Sequence, residues 1–277
     1  MKALLLALIA AGSASAETHG EAQGASLDRI TACIERPDAP AWAGSYSARF
    51  DEHGRDEQLE LCTDGFDFRS MHERENGWDP SFGTVERLAD DRFLLRSVDR
   101  SRERLLRLIH WDRCTFAVFE DQMLDFINKA NGSWTGAVEQ IPSRCVETKA
   151  ERYKRLKGYP DLPPQWRDFQ LKQEIVAAVT SVEAYRPVDN ERVYYLKISA
   201  GRKAGLRPGF GIWLFCADGV DDAQFSLTWS AENESEAKLV QYDPAKKFDG
   251  KCVPKVGQKV SSRIPKHAWE KNVSSRK

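Results

Sequence analysis

Residues 58–70 read QLELCTDGFDFRS. Leu59 and Leu61 alternate with polar neighbours, Asp64-Gly65 interrupts, and Phe66 and Phe68 resume the alternation. Successive side chains of a strand point to opposite faces, so this spacing buries one face of two short strands and leaves the other polar. A turn-forming Asp-Gly pair between them makes the segment an antiparallel hairpin. The pattern continues on both sides. WAGSYSARF (42–50) precedes it, GTVERLADDRFLLRSV (83–98) turns near Ala89-Asp90-Asp91, and RLLRLIHWDRCTFAVF (104–119) turns near Trp111-Asp112-Arg113. Strands joined by short turns build an antiparallel meander, closed or nearly closed, with its aromatics facing inward.

The period then changes. In EDQMLDFINKAN (120–131), Met123, Leu124, Phe126 and Ile127 share one helical stripe, with acids in the first turn and Asn131-Gly132 at the end. This helix is expected to pack on the meander, giving a first domain over 31–146. Residues 17–30 are small and polar and read as a frayed arm. Residues 147–173 are charged and carry Pro160, Pro163 and Pro164. They read as an interdomain linker with a short helix from Pro164 to Leu171, although Tyr159, Leu162, Trp166 and Phe169 are too apolar for a free tether. Beyond it, strands are expected at 175–184, 192–199, 210–216, 224–229, 236–243 and 258–264, the first two joined by a loop containing Pro187. The fold class is therefore mainly β: an N-terminal meander or barrel with one helix, then a small β-barrel of about six strands over 174–264.

The first sixteen residues, MKALLLALIAAGSASA, combine Lys2, an apolar core and an Ala14-Ser15-Ala16 cleavage motif. That is a secretory signal, and its apolar run is shorter than the roughly 18 residues a membrane anchor needs. No other segment has membrane-spanning length without charge. The 277 residues carry a net charge of −1, a balance that offers nothing to nucleic acid. Six cysteines, Cys33, Cys62, Cys114, Cys145, Cys216 and Cys252, read in an exported chain as disulfides. Sequential pairing keeps each bridge within one domain, and loops of about thirty residues are worth roughly 3–4 kcal/mol each. No CxxC or Cys/His spacing suggests a metal or redox site.

Catalytic motifs are absent from the sequence: no GxSxG elbow, no HExxH, no P-loop and no dinucleotide glycine fingerprint. Of five histidines, His110 lies within a strand beside Asp112 and is the one candidate for a general base; His53 and His267 read as loop residues. Carboxylates cluster at Asp64/Asp67, Asp90/Asp91 and Asp218/Asp221/Asp222, each at a turn, where Asp forms local hydrogen bonds more readily than it binds a cation. Charge is uneven in two places. Arg100, Arg102, Arg104 and Arg107 crowd residues 99–107, and Lys251, Lys255, Lys259, Lys266, Lys271, Lys277, Arg263 and Arg276 face only Glu270 in the tail. Such faces either attract an anionic surface or keep strand edges solvated. Most of the eight tryptophans read as core, with Trp78, Trp134 and Trp269 as candidates for exposed rings.

Trp42, Gly44 and Tyr46, followed by Leu59 to Phe66, resemble the opening of lipocalin-like or copper-stress-lipoprotein-like barrels of bacterial envelopes. The paired cysteines of that lipoprotein family are missing, so the resemblance implies a barrel and no metal role. Residues 104–134, with Phe126, Asn128, Asn131 and Gly132 in an F-x-N-x-x-N-G run, resemble a stretch of uncharacterised secreted bacterial proteins, which implies export. KAGLRPGFGI (203–212) is similar to a PDZ segment, but Phe210 stands where that family has Asp. Together with Val176, Val179 and VGQKV (256–260), it is also similar to small barrel modules of flagellar and cell-shape envelope proteins, where the turn joins two strands.

The sequence thus points to an exported, periplasmic or extracellular, monomeric accessory protein of the cell envelope that uses no cofactor. Its expected partner is another envelope protein or an anionic envelope surface. The alternatives are a hydrolase around His110 and Asp112 and a peptide-binding module at 203–216.

Overall fold

The computed structural model describes residues 20–48, 56–72, 77–78, 81–89, 91–98, 103–132, 141–146, 156–188, 191–216, 222–242 and 251–264. The signal segment, the tail from 265 and linker residues 147–155 lie outside them, as do His53, Asp90, Trp134, Asp218, Asp221, His267 and Trp269. Two units share the chain: Met1–Asp121 with Glu139–Asp161, and Gln122–Val138 with Leu162–Lys277.

The first unit is an up-and-down barrel. Its strands are β1 (Gly44–Ser47), β2 (Asp56–Cys62), β3 (Gly65–His72), β4 (Gly77–Trp78), β5 (Ser81–Ala89), β6 (Arg92–Ser97), β7 (Glu103–Trp111), β8 (Cys114–Phe119) and β9 (Ser143–Cys145). Eight of them close a ring of antiparallel neighbours, β1-β2-β3-β5-β6-β7-β8-β9, and β4 pairs with β3 alone. The β2–β3 hairpin sets Leu59 against Phe68 and Leu61 against Phe66, so the alternation read from the sequence fills the barrel. An eight-stranded barrel has an interior about as wide as its side chains can fill. Tyr46, Phe66, Phe93, Leu106 and Phe119 fill this one, with Trp42 and Phe93 at 4.8 Å and Phe68 edge-on to Phe119 at 5.5 Å.

Where a frayed arm was expected, residues 20–34 form helix α1. Its buried face is Ser26, Ile30 and Cys33, and Cys33 is bonded to Cys62 of β2. The missing apolar stripe has a physical cause. Asp67 points away from the barrel core and is fully buried, and it accepts hydrogen bonds from Gln23 of α1 (3.3 Å) and from Arg69 (2.7 Å). A helix covering a buried carboxylate needs polar donors on its inner face. Asp67 is thus a mid-strand structural group, not the turn residue its neighbour Asp64 suggested.

The second unit is a closed barrel of β10 (Val176–Val188), β11 (Glu191–Ile198), β12 (Gly211–Leu214), β13 (Ala223–Ser230), β14 (Ser235–Tyr242) and β15 (Lys259–Ser261), in the ring order β10-β11-β14-β13-β12-β15. Pro187 falls within the end of β10, where the register shifts between Tyr185 and Val188. A bulge tolerates a residue that cannot donate to the ladder. Leu196, Ile198, Leu206, Phe210, Ile212 and Leu214 are among the buried core.

Helix α2 (Met123–Asn131) groups with this second unit and not with the meander on which its stripe is expected to pack. Its apolar stripe is real, but two buried asparagines decide its place. Asn128 donates to the Gly209 carbonyl (2.8 Å) and accepts from the Gly211 amide (3.1 Å). Asn131 donates to the Phe169 carbonyl and accepts from the Leu171 amide, both at 2.9 Å. Each asparagine therefore satisfies a backbone donor and acceptor that burial would otherwise strand. The proline-rich connection is likewise packed: Leu162 and Leu171 are buried, and Pro164–Phe169 forms a 3₁₀ turn.

All six cysteines are bridged, Cys33–Cys62, Cys114–Cys145 and Cys216–Cys252, the sequential order favoured by spacing. Leu124 of α2 lies so close to Gly209 that a Cβ there would sit 2.3 Å from Leu124 Cδ2, and Gly209 has φ +85°. Gly209→Val should therefore cost about 2–4 kcal/mol of stability, from backbone strain and overpacking together. Adding Leu124→Ala should return part of that loss in chemical denaturation; no rescue would mean that the contact is not what constrains this glycine.

Candidate functional site

His110 is the penultimate residue of β7, paired across the hairpin with Thr115 of β8. Its Nδ1 is 2.9 Å from Thr115 Oγ1 and its Nε2 is 3.8 Å from Asp91 Oδ2. Asp112, the partner expected from the sequence, is engaged elsewhere. It accepts from Arg113 (3.0 Å) and from the Lys157 amide (3.1 Å), pinning the 156–161 segment, whose Asp161 amide also bonds the His110 carbonyl. Hydroxyl, imidazole and carboxylate stand in the order of a nucleophilic relay. However, the imidazole is 60% exposed and its carboxylate lies beyond hydrogen-bond length. A solvent-exposed setting of this kind weakens both the activation of the hydroxyl and the pairing of the ion.

Nearby polar groups serve the barrel's closure. The Tyr46 hydroxyl donates to the Trp42 carbonyl at 2.6 Å, and burial pushes its pKa up to about 12, against the lowering effect of Arg144. Arg144 donates to the carbonyls of Ala41 and Ala43, holding the 41–43 segment that carries Trp42. These are fastenings of the chain rather than groups presented to a ligand.

The arginine cluster is also internally satisfied where it is described. Arg92 and Arg107 stand directly opposite each other on β6 and β7, a repulsive pairing. Glu120 resolves it, lying 2.9 Å from Arg92 Nε and 2.8 Å from Arg107 Nε. Arg104 stacks 3.4 Å over the Phe119 ring and reaches Asp121 at 3.2 Å. The two acids read from the sequence as helix-start chemistry are thus barrel ion-pair partners. Arg100 and Arg102 fall outside the described residues. Among the described residues no group of three His, Cys, Asp or Glu side chains converges. Asp64 is held by Arg36 and Thr63, and Asp222 accepts from the Cys216 amide.

KAGLRPGFGI is built as a fold element. Leu206 and Phe210 are buried, Gly205 has φ +99°, and β12, which follows, pairs with β13 on one edge and β15 on the other. A PDZ-like peptide needs a free strand edge to add to, and β12 has both edges occupied.

A different surface stands out. On the outer face of β10, β11 and β14, cross-strand register aligns Tyr185 with Val193 and Val193 with Val240. Tyr195 lies 5.2 Å from Tyr185, and Tyr242 follows at the strand end. Exposure is 52% for Tyr185, 44% for Tyr195, 44% for Val240 and 58% for Tyr242. Glu183 and Lys238 flank Tyr195, and Glu183 accepts from the Tyr185 hydroxyl at 3.1 Å, raising that phenol's pKa. Tryptophans are the exposed aromatics that the sequence suggests, so this tyrosine face is not among its expectations. The period-two spacing of Val193 and Tyr195, opposite buried Tyr194 and Leu196, was the available signal. Compared with protein-family models, with curated proteins and with solved structures, the chain finds no match in any of the three.

Two outcomes are expected. His110→Ala should change stability by no more than about 0.5 kcal/mol, as for an exposed side chain, in thermal or urea melts. Glu120 is more consequential: burial works to raise its pKa, but hydrogen bonds from Arg92 and Arg107 outweigh that and hold it below its ordinary value of 4.5. Its contribution is present above that ordinary value and is lost as pH falls through the lowered one. Glu120→Gln should therefore lower stability at neutral pH and flatten the acid limb of the pH–stability curve; an unchanged acid limb would rule the ion triad out as its source.

Proposed function

We propose that the protein is an exported, non-enzymatic binding or accessory protein of the cell envelope, and that the tyrosine face of the second barrel receives a protein partner. The observation that carries this reading is a row of exposed tyrosine and valine side chains crossing three strands of a closed barrel. Contiguous apolar surface of this kind is uncommon on a chain that acts alone, and tyrosine is enriched where proteins meet. The charged rim of Glu183, Glu191 and Lys238 suits an apolar partner surface bordered by opposite charges. Export is supported by six cysteines in three disulfides, in keeping with an oxidising compartment. No helix among the described residues is long and apolar enough to cross a membrane.

A photo-crosslinking residue placed at Tyr195 in the exported protein, in its own cells, tests the docking face. A single discrete adduct is expected, and it should disappear when Tyr185 and Val240 are changed to Ser, while urea melts stay close to wild type. A smear of adducts, or an adduct indifferent to the two substitutions, would remove the tyrosine face as the docking surface.

A further inference from the structure

The second barrel carries another exposed surface of different chemistry. Residues 251–259 read KCVPKVGQK, and the stretch from 251 to 264 contains no acid. Lys251, Lys255 and Lys259 are exposed, and between them stand two solvent-facing valines, Val253 at 47% and Val256 at 67%. Val256 sits at the tip of a tight turn closed by the Gln258 amide donating to the Lys255 carbonyl at 3.1 Å, with Gly257 at φ +85°. Turn tips ordinarily hold small polar residues, so a valine there has no local reason.

The turn is held rigidly from several sides. Cys252 is bonded to Cys216, and its carbonyl accepts from Gln241. The Gln258 side chain accepts from the Lys255 amide (2.9 Å) and donates to the Phe215 carbonyl (2.6 Å). Backbone bonds tie Gly257 and Gln258 to Val179 at 2.8 and 2.9 Å. Lys259 lies over the Phe215 ring at 4.9 Å. Among the described residues, the carboxylates of Glu174 and Asp222 already accept from the Ser261 hydroxyl and the Cys216 amide. An apolar tip set among lysines on a fixed frame matches an interface with an acyl interior beneath a layer of phosphates.

We propose that Lys251–Lys259 is a bilayer-docking turn for anionic membranes: Val253 and Val256 enter the boundary between headgroups and acyl chains, and the three lysines meet lipid phosphates. The turn loses little freedom on docking because its bonds already fix it. It shares no residue with the tyrosine face and does not depend on a protein partner there.

Full-length processed protein is mixed with vesicles of phosphatidylcholine alone, or with about one-third phosphatidylglycerol, and bound protein is measured by flotation. Binding is expected only to the anionic vesicles, weakening as salt is raised. K251E/K255E/K259E should reduce it about 100-fold or more, since each lysine is worth roughly five-fold at such a surface. V253S/V256S should keep the salt dependence and lose about five- to ten-fold. Urea melts confirm that these exposed substitutions leave the fold in place. Equal binding to both vesicle types, no binding to either, or binding that survives the lysine changes because the rest of the tail supplies it, would overturn the proposal. So would indifference to the valine changes, which would leave charge attraction without docking.

Discussion

The Cys114–Cys145 bridge closes the first barrel across a stretch of chain that belongs to the second. β8 ends at Phe119, α2 follows at Met123–Asn131 as part of the other unit, and β9 returns at Ser143–Cys145 to lie between β8 and β1. β9 is short: among the described residues it pairs with β1 through Ser47 and Ser143 and with β8 through three residue pairs, so the narrow seam of the ring lies on its β1 side. The bridge holds β9 against β8, where Cys114 and Cys145 are also directly paired residues. Arg144, the middle residue of β9, then ties the 41–43 segment down, whose Trp42 lies against Phe93. Closure and end packing meet at β9, held there by the bridge, the β8–β9 ladder and Arg144 together.

The same chain segment completes the second barrel through polar chemistry. Asn128 and Asn131 each supply a donor and an acceptor to backbone that strand pairing leaves unserved, around Gly209–Gly211 and Phe169–Leu171. The requirement on Gly209 follows from this arrangement, because Leu124 is carried in with the asparagines. The turn that resembles a peptide-binding loop is therefore shaped by the helix that covers it.

Much of the fold was legible because it is written in period-two alternation. Leu59, Leu61, Phe66 and Phe68 face inward as spaced, and all six strands expected after residue 173 are present. Cysteine spacing was equally informative, since short sequential loops keep each bridge local. What escaped was structure held by polar groups. α1 presents Ser26 and Gln23 to a buried Asp67, so its inner face lacks the stripe that marks a helix. The stripe of α2 announced a helix without saying which core it meets; Asn128 and Asn131 decide that, and their partners lie far away in sequence. His110 was singled out with Asp112, its neighbour along the chain, whereas the hairpins bring it toward Asp91 and Thr115. The exposed tyrosines follow the strand alternation, but spacing alone cannot distinguish a solvated outer face from one kept open for contact.

The interleaving of the two units also constrains how the chain can be divided. Neither unit corresponds to one uninterrupted run of the chain, although the six strands of the second barrel do: a break after Asp121 removes β9 from the first unit, and a break after Asp161 removes α2 from the second. A segment ending at Asp121 carries an open ring, and one beginning at Leu162 carries a barrel without the helix that covers Gly209. No single cut of the chain therefore leaves both units complete.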